Sequence, residues 1–202
     1  MINLENRFLL LIKKMLSKPH NYSYEHLDLL NKMWPLLSDL VAISNSGVDI
    51  PKLNEVLMPM GIPLGTNKKD MIKHIGISRI CSRHDFSVSK KNIYSLYSVY
   101  TGFDQWRLNT QFHLLDDQLY MVKTDFLTQL SSNLYECFLN GFIGPEYNLN
   151  KYTGILPYYM KDTQSNLLQV HNPLGYPTVT YYTGNTKLQS KIEFMLKQKT
   201  LN

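Results

Sequence analysis

Residues 106–115 read "WRLNTQFHLL", and this stretch decides the fold prediction. Apolar and polar residues alternate along it, which is the period of a β-strand with one buried face and one face in water. The polar members are Arg107, Asn109, Gln111 and His113. We predict that these four side chains are displayed together in water and form the surface that binds a partner.

Two further strand patterns flank this stretch. "NIYSLYSVY" (92–100) precedes it across the turn-forming "TGFDQ" (101–105), and "LYMVKTDF" (119–126) follows it after "DDQ" (116–118). Short connections between successive strands are typical of antiparallel hairpins. We therefore predict an antiparallel meander over 92–126. Asp116 and Asp117 then serve as turn residues, which is the common role of Asp at such positions.

The rest of the chain alternates between helical and extended patterns. Helical spacing predicts a helix over 8–16, a second from about Ser23 with a kink or restart at Pro35, and a short third over 50–57. Further along, the pattern predicts a helix over 127–140, a loop over 141–166, strands at 167–171 and 177–182, and a final helix beginning at Thr186 with Gln189 in a capping box. The result is an α+β fold, most simply one domain over 1–202. A division into 1–60, 61–140 and 141–202 also fits the pattern.

A basic segment occupies residues 65–91. It contains seven bases and two acids, an excess of +5 that equals the formal charge of the whole chain. The bases are Lys68, Lys69, Lys73, Arg79, Arg83, Lys90 and Lys91. Two interpretations stay open: a solvated helix face with its loop, or a field that attracts an acidic partner such as nucleic acid.

The start of this segment, "GTNKKDMIKHIGISRI" (65–80), predicts a short helix. Thr66 is the expected N-cap, because its hydroxyl can accept from an unpaired amide of the first turn. Gly76 is expected to end the helix, since glycine readily adopts the left-handed conformation found there. The glycine spacing fits neither common phosphate-binding loop.

Residues able to carry chemistry are scattered. Cys81, His84 and Asp85 are close in sequence, yet a nucleophile needs a base and an orienting group that converge in space. The histidines and cysteines lack the paired spacing of a zinc site. We therefore predict no catalytic site, no metal and no cofactor, although an enzyme of unrecognised type with dispersed catalytic residues stays open.

The apolar run near the start, residues 8–12, is shorter than a secretory signal core, and no segment has the length of a membrane span. Only Cys81 and Cys137 are present. These observations predict a cytoplasmic protein with free thiols.

The stretch "LGTNKKDMIKHIGISR" (64–79), followed by three strand patterns, resembles the helix–helix–three-strand module of the BamE/SmpA-like outer-membrane assembly lipoproteins. β-Lactamase inhibitor proteins share that architecture. The resemblance covers about 49–126, and the matching positions are Gly65, Thr66, Ile72 and Gly76. Ser78 stands where the family usually has proline, and the start has no lipidated cysteine. The resemblance implies a module that presents a sheet face and loops to partner proteins, without catalysis.

Fourteen tyrosines are many for 202 residues, and tyrosine and arginine are prominent among residues that dominate protein interfaces. Our first hypothesis is therefore a soluble protein–protein interaction module, in the form of an inhibitor or immunity-type protein that neutralises a partner. The alternatives are a nucleic-acid-binding protein that uses the basic segment, or an enzyme. The identity of the partner and the oligomeric state are left open.

Overall fold

The computed structural model describes residues 24–56, 58–87, 92–103, 106–130, 157–172 and 175–199. Within these ranges, seven strands form one antiparallel sheet in the order β1-β2-β3-β4-β7-β6-β5. The strands are β1 (Ile80–Ser87), β2 (Ile93–Phe103), β3 (Trp106–Leu115), β4 (Gln118–Phe126), β5 (Tyr158–Lys161), β6 (Leu167–His171) and β7 (Thr178–Tyr182). The helices are α1 (Tyr24–Asn45), α2 (Lys68–Ile75) and α3 (Thr186–Lys199). The predicted α+β class is confirmed.

The meander β2-β3-β4 forms as the alternation predicts. Asp116 and Asp117 make the two-residue turn between β3 and β4, with φ of 50° and 63°. Positive φ at both central residues is the mark of the type I′ hairpin turn, whose twist matches that of the strands it joins. One β-bulge interrupts the β3–β4 register between His113 and Leu114. Tyr120 is the extra residue on β4, so the pairing beyond it is shifted by one position.

Both faces of the sheet carry a hydrophobic core. On the first, which we call the α2 face, Met71 and Ile75 of α2 pack with Phe112, Leu114 and neighbouring strand residues. On the second, the α1–α3 face, apolar residues of α1 and α3 pack over one half of the sheet. These are Met33, Leu37 and Leu40 of α1 and Leu188, Ile192 and Met195 of α3. The sheet therefore carries helices on both faces, and the predicted face in water is covered over one half by α1 and α3.

The short helix α2 forms where expected, but its N-cap is displaced by one residue. Asn67, not Thr66, accepts a hydrogen bond from the backbone amide of Asp70 at 3.0 Å. The Thr66 hydroxyl instead donates to the carbonyl of Pro63 at 2.7 Å. Gly76 ends the helix with φ of 84°, and its amide donates to the carbonyl of Ile72.

The predicted third helix over 50–57 is wrong. The carbonyl of Pro51 accepts from the amide of Lys161 at 2.9 Å, and the amide of Leu53 donates back to the Lys161 carbonyl at 2.7 Å. Residues 51–53 are thus extended along the outer edge of β5, the edge that does not pair with β6. Pairing with an open strand edge overrides a weak helical pattern that contains a proline.

The remaining sequence predictions had mixed outcomes. The strand predicted at 167–171 is β6, and the one predicted at 177–182 is β7 shorter by one residue. Helix α1 continues through Pro35, so no restart occurs there. Residues 127–130 are not helical, so the start of the predicted helix over 127–140 is wrong. Three other predictions lie outside the described residues: the helix over 8–16, the rest of the helix over 127–140, and most of the loop over 141–166. Strand β1 was not predicted, and the predicted loop over 141–166 is wrong in its described part, because 158–161 pair with β6 as strand β5. Among the described helices, none is both long and apolar enough to cross a membrane.

Candidate functional site

The α1–α3 face is divided into an apolar half and a polar half. The apolar half lies beneath the helices, where Leu96, His113, Met121, Tyr182 and Leu167 follow one another across five strands. The polar half lies further along the same strands and consists of two cross-strand rows. One row is Ser98, Gln111, Lys123, Thr180 and Gln169; the other is Tyr100, Asn109, Asp125, Thr178 and His171. We call these ten residues the polar rows. Ser98, Gln169 and Thr180 are buried, and the other seven are half-buried or exposed.

Internal hydrogen bonds hold the centre of the polar rows. Lys123 Nζ lies 2.6 Å from both carboxylate oxygens of Asp125, and the Thr178 hydroxyl donates to Asp125 at 2.9 Å. Gln169 Nε2 donates to the Tyr159 hydroxyl at 3.0 Å. Because Lys123 and Asp125 are both partly buried, their pairing is screened less than that of a fully exposed pair. The centre of this surface is therefore polar and pre-organised.

Three of the four predicted partner-binding residues belong to this region. Arg107 is exposed, while Asn109 and Gln111 are half-buried within the rows. The register places Tyr100 opposite Asn109, and Arg107 two residues away opposite Gly102. Tyr100 is 57% exposed, so its ring is the large aromatic contact area beside Arg107. Tyr100 is not among the predicted partner-binding residues, because the residues before it on β2 do not alternate strictly between apolar and polar and so do not indicate its face.

The prediction that His113 is in contact with water is wrong. Its side chain is 0% exposed, and Nδ1 is hydrogen-bonded to the hydroxyl of Tyr94. The rings of Tyr94 and Tyr120 lie 6.0 and 6.4 Å from the His113 ring. Burial, and after it the positive charge of Lys123, lower the pKa of His113 to about 3. His113 is therefore a neutral core residue beneath α1 and α3.

The structure separates the basic segment into paired and unpaired cations. Lys68 Nζ lies 3.3 Å from carboxylate oxygens of both Asp85 and Asp117, and Arg83 Nε donates to Asp85 at 2.8 Å. The two cations also lie 5.8 and 5.6 Å from the centre of the Tyr97 ring. Lys68 and Arg83 are thus structural charges with local partners.

The same cluster contains Ser95, which invites comparison with a serine nucleophile. The Ser95 hydroxyl donates a hydrogen bond to Asp85, and Lys68 Nζ lies 3.3 Å from the Ser95 hydroxyl oxygen. Burial lowers the pKa of Lys68, but the charges of Tyr97, Asp85 and Asp117 outweigh it and raise the pKa above its usual value. A serine–lysine dyad needs an amine that loses its proton readily. Lys68 is therefore a charge partner here and is unsuited to act as a base.

In the described part of the segment, three cations are exposed, namely Lys69, Lys73 and Arg79. Within the described ranges, no carboxylate lies within 4.0 Å of their charged groups. Lys90 and Lys91 lie outside those ranges. A nucleic-acid interface in the described part of the segment would therefore rest on three cations, which is fewer than the sequence suggested.

Cys81, His84 and Asp85 lie on β1 without forming a common site. Successive strand residues point to opposite faces, which directs His84 and Asp85 apart. The Cys81 thiol is exposed and its Sγ lies 3.5 Å from the Arg79 carbonyl. Over the described residues, no group of three or more His, Cys, Asp or Glu side chains is arranged to hold a metal ion.

Comparison with known proteins found no matching protein family, no similar curated protein and no similar solved structure. The candidate sites are therefore assessed on their geometry alone.

Proposed function

We propose that this protein is a protein–protein interaction module, of the inhibitor or immunity type, and that it binds its partner through Arg107 and the half-buried and exposed residues of the polar rows. The observation that carries the proposal is that Tyr100 and Arg107, both exposed, occupy diagonal positions on the paired strands β2 and β3. Tyrosine and arginine are enriched among the few residues that contribute most of the binding energy at interfaces.

The hydrogen-bonded centre of the polar rows supports the same proposal. Binding costs free energy when flexible side chains must be ordered. Lys123, Asp125 and Thr178 are already held by one another, so a partner would meet them in a fixed arrangement. Asn109 lies between Tyr100 and Asp125, and Gln111 lies beside Lys123 in the neighbouring row. The half-buried Gln111 supplies an amide group for hydrogen bonds.

The test is affinity capture from the native host with matched variants. Wild type, Tyr100→Ala, Arg107→Glu and Tyr176→Ala are immobilised at equal density, and retained proteins are quantified by mass spectrometry. Tyr176 is the control because it is 45% exposed and does not belong to the polar rows. We expect the same partner to be enriched by wild type and by Tyr176→Ala, and to be reduced at least about tenfold by the other two variants.

Thermal unfolding of each variant separates binding from folding. Tyr100 and Arg107 are exposed, so we expect their melting temperatures to stay within about 3 °C of wild type. Equal capture by all four proteins would refute the proposed surface. The absence of any protein enriched by wild type over a blank resin would refute the function itself.

A further inference from the structure

A small cavity of ≈ 90 Å³ lies on the α2 face, beside the C-terminal half of α2. The buried side chains of Ile62, Ile75 and Val99 form its apolar floor. The exposed residues Met60, His74 and Arg79 complete the lining at the surface. The cavity is thus an apolar recess that opens between a methionine and two basic side chains.

The backbone around Met60 fixes one side of this opening. Met60 has φ of 54°, an uncommon conformation for a residue with a side chain. A 3-10 turn holds it there, since the amides of Gly61 and Ile62 donate to the carbonyls of Met58 and Pro59. The Met60 carbonyl also lies 3.3 Å from Nε2 of His74. Strained residues held in this way are found preferentially at ligand-binding sites.

The surface around the opening combines exposed apolar residues with unpaired positive charge. Ile77 is 65% exposed and Met58 is 53% exposed, while Lys73 and Arg79 are exposed without an ion-pair partner among the described residues. The acid of α2 is Asp70, and it is bound at the other end of the helix by Asn67 Nδ2 at 2.6 Å. The mouth of the cavity is therefore complementary to negative charge.

We propose that the cavity is a second binding site, which takes one aliphatic side chain from an acidic segment of a partner protein. The volume suits a single side chain, the floor supplies apolar contacts, and Lys73 and Arg79 attract flanking carboxylates. This inference goes beyond the proposed function, because the site lies on the opposite face of the sheet from the polar rows. Either site can be present without the other.

Methyl NMR of the full chain tests the inference with a defined probe, acetyl-Glu-Glu-Leu-Glu-Glu-amide. We expect saturable shifts of the Ile62, Ile75 and Val99 methyl signals, while the methyl signals of Leu188 and Ile192 in the other core stay unchanged. A peptide with glycine in place of leucine should bind about tenfold more weakly, because it lacks the buried side chain. A peptide with glutamine in place of every glutamate should be weakened at least about threefold.

Two variants and one competitor complete the experiment. Arg79→Gln, at an exposed position, should weaken the probe at least about threefold, and Thr101→Leu, which adds volume to the lining, should abolish the shifts. A melting curve checks that each variant is folded. The inference is overturned if no saturable shift appears in these methyl groups. It is also overturned if the glycine peptide or a 16-nucleotide oligothymidylate binds as tightly as the probe, since polyanion binding would then explain the result. None of these outcomes depends on Tyr100 or Arg107, so this inference and the proposed function can fail separately.

Discussion

The buried histidine makes the stability of the protein sensitive to mild acid. His113 has a pKa of about 3 in the folded chain, against an ordinary value of 6.5. Between these values the unfolded chain takes up a proton at this position and the folded chain does not. The free energy of unfolding therefore falls as the pH decreases through this window, by about 1.4 kcal/mol per pH unit.

At pH 4.5, two units below the ordinary pKa, this contribution amounts to about 3 kcal/mol relative to pH 7. Many domains have a total stability of about 5–15 kcal/mol, so the loss is readily measured. The assay is urea unfolding of wild type and His113→Gln at intervals from pH 7 to pH 4.5. Glutamine does not titrate and can still form a hydrogen bond with Tyr94, while the carboxylates titrate in both proteins.

The informative quantity is the difference between the two pH profiles. We expect wild type to lose about 3 kcal/mol more than His113→Gln over this range, whatever the offset between them at pH 7. Parallel profiles would refute the reasoning, because they would mean that His113 is protonated as easily in the folded chain as in the unfolded one.

Three further predictions concern packing and capping, each with a matched control and each read as the change in the free energy of unfolding from urea denaturation. Gly184→Ala should cost more than about 2 kcal/mol, because the added Cβ would lie 2.4 Å from the backbone oxygen of Gln164, whereas Gly47→Ala meets nothing within 4 Å and should be nearly neutral. Ile192→Ala should cost about 2–5 kcal/mol because it opens a cavity under α3, while Phe194→Ala on the same helix, 54% exposed, should cost less than 1 kcal/mol. Asn67→Ala should cost about 1 kcal/mol through loss of the α2 cap, and more than Thr66→Ala; the reverse order would mean that the cap assignment is wrong.

Strands with a clear pattern of apolar and polar residues could be predicted from the sequence. Strands whose position depends on contacts with distant parts of the chain could not. The meander, β6 and β7 are visible because apolar and polar residues alternate along them or form a short apolar run. Strand β1 is hidden because Arg83 and Asp85, on its α2 face, belong to a charge cluster, and because a bulge interrupts its start. The pairing of 51–53 with β5 depends on residues far apart in the chain, which no local pattern records.

The helix caps show a smaller error with a clear cause. Thr66 and Thr186 were predicted as caps, but the neighbouring asparagines fulfil this role. Asn67 caps α2, and Asn185 accepts from the amides of Lys187 and Leu188 at the start of α3. Asparagine ranks above threonine at this position, so a Thr–Asn or Asn–Thr pair is better assigned to the asparagine.

The candidate surface could be predicted only in part because of the bulge at Tyr120. The turn at 116–117 alone would place Thr124 opposite Asn109. With the bulge, Asp125 occupies that position, and Lys123 lies opposite Gln111. A shift of one residue moves each side chain to the other face of the sheet. The extent of helical cover, which buries His113 and leaves Arg107 exposed, likewise depends on where α1 and α3 pack.

The central claim is that the polar rows with Arg107 form the binding surface, and tyrosine footprinting tests it most directly. Nitration of the protein alone should modify both Tyr100 and Tyr176, which are 57% and 45% exposed, and leave the buried Tyr94 and Tyr120 unmodified. In the complex captured from host extract, the account predicts that Tyr100 becomes protected while Tyr176 is modified as before. Modification of Tyr100 at an equal rate in the complex and in the free protein would contradict it.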